Sequence, residues 1–98
     1  MKRDIPVKKI EAFCNKWSVS RFSLFGSFLR EDFRPDSDID VLVAFEEGAD
    51  WGMRDWLRMI DELQAIFKRR IDLVEEGTIR NPFRLKAIMT EREIVYAA

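Results

Sequence analysis

Gly26-Ser27-Phe28-Leu29-Arg30, followed about seven residues later by Ser37-Asp38-Ile39-Asp40-Val41-Leu42-Val43, decides how this chain is read. An apolar run over residues 19–25 closes at the Gly-Ser turn, and the next apolar run opens on two aspartates one residue apart. Side chains on a strand alternate between faces, so Asp38 and Asp40 point the same way while Ile39, Val41, Val43 and Phe45 take the other side. Both faces become apolar beyond Asp40, which predicts a central strand over 38–45 with its entrance held at a polar site. Two neighbouring carboxylates repel unless a cation or a proton lies between them. A small turn able to approach phosphate, beside a carboxylate pair able to hold a divalent metal, points to chemistry on a nucleotide.

Working outward, residues 4–17 carry Val7, Ile10, Cys14 and Trp17 at helical spacing, with Phe13 widening the stripe. Asp4 is the expected N-cap and Pro6 is expected in the first turn, where a missing N–H costs nothing. A short helical turn is expected over 27–31 and a loop over 34–37, since Pro35 disfavours helix at Arg34. A second helix is predicted over 53–68, with Trp56, Leu57, Ile60, Leu63 and Phe67 facing inward. Lys68-Arg69-Arg70 reads as cations at that helix's C-terminus, or as a phosphate-binding cluster. Residues 71–74 form a short strand, apolar enough to be interior. Asn81 and Pro82 open a third helix to about Met89, and 93–96 add a last strand. Helix and strand alternate throughout, so the expected class is α/β (α+β): a mixed sheet of three to four strands with flanking helices.

Composition narrows the function. The chain has 98 residues, 47% hydrophobic and 36% charged, enough for one core and one domain over 1–98. With 17 basic and 18 acidic side chains the net charge is −1, which argues against a protein that grips a nucleic-acid backbone. Histidine is absent, removing Ser-His-Asp, Cys-His and His-ligated zinc chemistry together. Cys14 is the one cysteine, so no internal disulfide forms, and a small buried apolar role is expected for it. No apolar run approaches the ~20 residues of a membrane span and no signal-peptide pattern opens the chain, so the expected location is cytoplasmic, away from membranes.

Asp72 raises the same question as the first pair, because an ionised carboxylate between Ile71 and Leu73 is costly unless something positive meets it. Asp38, Asp40 and Asp72 on neighbouring strands would form a hard oxygen cage for Mg²⁺. Two such ions ~4 Å apart would clamp the attacking and leaving oxygens of a phosphoryl or nucleotidyl transfer. Gly26 lets backbone approach phosphate, Ser27 donates a hydroxyl, and Arg30 adds charge for a triphosphate. Each piece has a bland counterpart. Gly-Ser is a common turn, Asp38 and Asp40 would suit the solvent face of an edge strand, and Asp72 would pair with an arginine. Their combination is what favours a nucleotide site.

That combination resembles the minimal nucleotidyltransferases of the DNA polymerase beta superfamily: Gly-Ser, a short helix with Arg, then Asp-x-Asp, then a hydrophobic-Asp-Leu-Val strand, here Ile71-Asp72-Leu73-Val74. The resemblance runs over nearly the whole chain. It implies Mg²⁺-dependent transfer of NMP from an NTP, with two ions, and with pyrophosphate released. Asp38 and Asp40 would bind metal, Asp72 would be the third ligand and base toward the acceptor hydroxyl, and Gly26, Ser27 and Arg30 would bind nucleotide. Leu29 and Glu31 stand where many members carry a small residue and a glycine. Stand-alone members resemble antitoxins of HEPN/MNT toxin-antitoxin pairs, which transfer AMP from ATP to a tyrosine of a helical HEPN RNase toxin. Trp51, Met53 and Trp56 are then either partner contacts or ordinary core. Two alternatives stay open: a non-catalytic antitoxin that masks the toxin by binding, and a small-molecule nucleotidyltransferase with a separate helical acceptor subunit.

Overall fold

The computed structural model of the chain describes residues 5–26 and 38–98. In chain order these form α1 (Val7–Trp17), β1 (Val19–Phe25), β2 (Ile39–Phe45), α2 (Met53–Phe67), β3 (Ile71–Glu75), a 3₁₀ turn (Glu76–Thr78), α3 (Pro82–Glu91) and β4 (Glu93–Ala97). The sheet order is β3-β2-β1-β4. β1 is antiparallel to β2 and to β4, whereas β2 and β3 run parallel. Antiparallel neighbours can be joined tightly, but a parallel pair needs a crossover, and α2 is that crossover. The sheet is therefore mixed and four-stranded, with β2 in an inner position, as its two apolar faces predict.

Alternation along the strands separates two layers. Phe22, Leu24, Ile39, Val41, Val43 and Leu73 pack on one face with Ile10, Phe13, Cys14 and Trp17 of α1 and Met59 and Leu63 of α2. Phe25 and Leu42 pack on the other face with Ile88 of α3, flanked by Val74, Ile79 and Met89. The larger core thus lies under α1 and α2. The smaller one lies under α3, on the face that Asp40 shares with Leu42.

α2 departs from the predicted stripe in one respect. Leu57 is 54% exposed, while Met59 is fully buried. Met59 and Leu63 are four apart, so they define the centre of the buried stripe and rotate Leu57 off it. The helix ends at Phe67, and Lys68 caps it in a left-handed conformation (φ 58) with its N–H on the Gln64 carbonyl. At the start of α1, Pro6 is the cap residue itself, not a first-turn residue. The expected cap at Asp4 lies outside the described residues. α3 begins as predicted, the Asn81 side-chain oxygen accepting from the Phe83 and Arg84 N–H groups at 2.9 and 3.1 Å.

α1 and α2 are stapled at their edges. Glu62 accepts from the Lys16 ammonium (2.6 Å) and from the Trp17 indole (3.0 Å). Partial burial raises this carboxyl, but the two hydrogen bonds and the Lys16 and Arg58 charges outweigh it and hold the group below its ordinary value. Trp51 donates to the Trp17 carbonyl at 3.0 Å and meets its ring edge-on at 5.2 Å, so Trp51 belongs to the core. Met53, 71% exposed, does not. Cys14 is 1% exposed, and burial, with Glu11 adding, pushes its thiol up to about 12. It is the inert apolar residue expected of it.

Ser23 is fully buried on the α3 face, and its hydroxyl has no hydrogen-bond partner among the described residues. An unsatisfied buried hydroxyl carries a desolvation penalty that a methyl group does not. Ser23→Ala is expected to stabilise the protein by about 1 kcal/mol in urea unfolding. A loss of stability of that size would show that the hydroxyl is satisfied in solution.

Candidate active site

Two neighbouring strands, β2 and β3, bring the acidic residues to one end of the sheet, beside the end of β1. Phe25, the last residue of β1, pairs with Asp40 of β2, and Asp40 pairs in parallel register with Asp72 of β3. Directly paired residues point to the same face, so Asp40 and Asp72 lie side by side on the α3 face of the sheet. Asp38 has the same parity and precedes the first residue of β2. Asp72 is not interior, contrary to the sequence expectation: β3 is an edge strand and Asp72 is exposed. Its apolar neighbours Ile71 and Leu73 face the larger core, so the strand reads as interior although one edge is open.

Gly26 closes the row on the β1 side. Its φ is +69, in the left-handed region that favours glycine. A Cβ there would overlap the Asp40 carboxylate, reaching 3.1 Å from Cγ and closer still to Oδ2. Backbone and carboxylate are in direct apposition, which only a glycine permits. Ser27 and Arg30, the other expected nucleotide contacts, lie outside the described residues, as do Leu29 and Glu31 and the expected 27–31 turn and 34–37 loop.

Asp38 is engaged by a residue that the sequence reading placed elsewhere. Arg70 Nε lies 3.1 Å from Asp38 Oδ1. The Arg70 carbonyl accepts from the Ile39 N–H at 3.0 Å, which lays the entry to β3 along the entry to β2. The Lys68-Arg69-Arg70 run therefore does more than cap a helix: Arg70 meets Asp38. Among the described residues no three His, Cys, Asp or Glu side chains are gathered closely enough to hold a metal ion. The donors nonetheless suit a hard divalent cation. They are carboxylate oxygens, two of them in register on one face, and the third stands two residues upstream beside an exchangeable guanidinium.

A second ionic cluster lies further along the same face. Glu76 of the 3₁₀ turn accepts from Arg21 and Arg92, each at 3.3 Å. It ties the end of β3 to β1 and to the start of β4, and so sets how β3 lies against the site. Nothing in the sequence singled out Glu76, because its partners are 55 and 16 residues away.

A profile of the nucleotidyltransferase domain matches residues 7–95. This chain belongs to that family. The protein adenylyltransferase MntA of Thermococcus cleftensis is 31% identical over 81 residues, covering 83% of this chain and 77% of the relative. Among solved structures, one described as a toxin-antitoxin with AMP-PNP superposes with a TM-score of 0.76 at 17% identity, covering 96% of this chain and 75% of that one. Another, described as a tri-AMPylated Shewanella oneidensis HEPN toxin in complex with its MNT antitoxin, gives a TM-score of 0.67 at 16% identity over 94% and 70% of the two chains. At such identities the structural likeness concerns the fold. The nucleotidyltransferase class rests on the family match, and no helix among the described residues is long and apolar enough to cross a membrane.

Proposed function

We propose that this nucleotidyltransferase transfers AMP from ATP to a tyrosine hydroxyl of a HEPN-family partner, as the antitoxin of a toxin-antitoxin pair. The observation that carries the reading is the row Gly26–Asp40–Asp72 across three strands, with Asp38 at its edge. The relatives named above support the donor and the acceptor class.

In this reading Asp38, Asp40 and Asp72 hold Mg²⁺. A divalent cation held by these carboxylates would supply charge neutralisation for the triphosphate and the departing pyrophosphate. Gly26 lets the phosphate tail approach backbone without a Cβ in the way, and Ser27 and Arg30 are proposed to contact it. Asp72, exposed on the edge strand, takes the proton of the acceptor hydroxyl. The phenolic oxygen then bonds to the α-phosphorus as the bond from that phosphorus to the bridging oxygen breaks. An edge position suits this role, because a side chain of another protein can reach it from outside the sheet.

The test is mass spectrometry of the cognate HEPN protein after incubation with this chain, ATP and Mg²⁺. A gain of one or more AMP units on a tyrosine is expected, and none with Asp38→Asn. An unmodified partner whose toxicity is still neutralised would replace this reading with masking by binding. Label on a small molecule, with the partner unmodified, would replace it with a small-molecule transferase.

A further inference from the structure

Arg70 is a permanent cation placed on one member of an acidic set. Both side chains are largely open to water, Arg70 at 80% and Asp38 at 50% relative exposure. Pairs this exposed are weak, so a multivalent competitor can displace the guanidinium. The backbone beneath is not weak: the hydrogen bond from the Ile39 N–H to the Arg70 carbonyl holds the two residues abreast whatever the side chain does. Asp40 and Asp72 are paired in parallel register, and Asp38 meets Arg70.

We propose that Arg70 is a built-in counter-cation for Asp38, occupying it in the metal-free protein and yielding it when a divalent cation binds. The inference rests on the reading that Asp38 is a metal ligand. Its physical basis is competition for one oxygen: Asp38 Oδ1 lies 3.1 Å from the Arg70 Nε, and a metal ion that takes that oxygen as a ligand must displace the guanidinium. Metal affinity falls because the ion must compete with Arg70 for that carboxylate. Arg70 is thus a positioning residue, acting on metal affinity through Asp38.

The experiment is titration of the nucleotide-free protein with Mn²⁺, free ion being counted by electron paramagnetic resonance. Arg70→Gln is expected to bind Mn²⁺ about fivefold more tightly than wild type, the scale set by one weak ion pair. Arg70→Lys keeps a charge that can reach Asp38 and is expected to fall between them. Lys68→Gln removes the same charge two residues away, at the α2 cap, and is expected to change affinity less than twofold. In an Asp38→Asn background the Arg70 effect is expected to vanish. If wild type binds Mn²⁺ through Asp38 and Arg70→Gln binds no better, the inference is overturned while the metal site stands. Tightening by Lys68→Gln equal to that by Arg70→Gln would also overturn it, since bulk charge would then suffice. If Mn²⁺ binding is absent, or is indifferent to Asp38→Asn, the metal reading itself falls and this inference with it.

Discussion

Asp40→Asn is expected to cut transfer to the HEPN partner at least about a thousandfold, since ions that neutralise phosphoryl charge supply several kcal/mol of transition-state stabilisation. The substitution keeps the shape of the side chain and removes its charge. Asp40 is in the middle of the row, between the Gly26 backbone and Asp72. A change of charge without a change of shape is expected to leave the thermal midpoint near that of wild type while activity disappears. Loss of activity without loss of fold separates a catalytic role from a structural one. Wild-type labelling by Asp40→Asn would leave the acidic row without a chemical purpose. A collapse in stability would make Asp40 a scaffold residue.

Gly26→Ala is expected to fail in both respects. An L-residue at φ +69 costs about 1–2 kcal/mol in backbone strain, and the new Cβ also overlaps the Asp40 carboxylate. Either the end of β1 or the carboxylate must move. The expected result is a thermal midpoint lower by roughly 10 °C, with activity reduced as in Asp40→Asn. Gly48→Ala supplies the comparison: its φ is +90, but a Cβ there would meet nothing within 4 Å. That variant is expected to lose some stability and keep full activity. If the two variants behave alike, backbone strain alone explains Gly26, and its contact with Asp40 has no functional weight.

Much of this architecture is local in origin and was readable beforehand. Gly26 ends one strand, Asp38-x-Asp40 opens another, Asn81-Pro82 starts a helix, and each signal acts within a few residues. The alternation of Ile39, Val41 and Val43 against Asp40 and Leu42 predicts two covered faces, and two clusters occupy them. Asp72 was harder, because its apolar neighbours describe the face they cover and not which strand lies alongside. Leu57 was misplaced because a helical stripe several residues wide leaves its phase uncertain by about one position. Arg70 was read through the helix before it, although its partner is on another strand. Glu76 had no local signal.

The amino-acid sequence by itself determined the elements, their order, the faces they bury and the residue types available for chemistry, because propensity, capping and periodicity act over short distances. Only the tertiary structure decided that β3 lies at the edge, that Asp40 and Asp72 stand in register, and that Arg70 meets Asp38. Those are contacts between strands 30 or so residues apart. They follow from which backbone edges pair, a choice made by the packing of the whole sheet and written in no single segment.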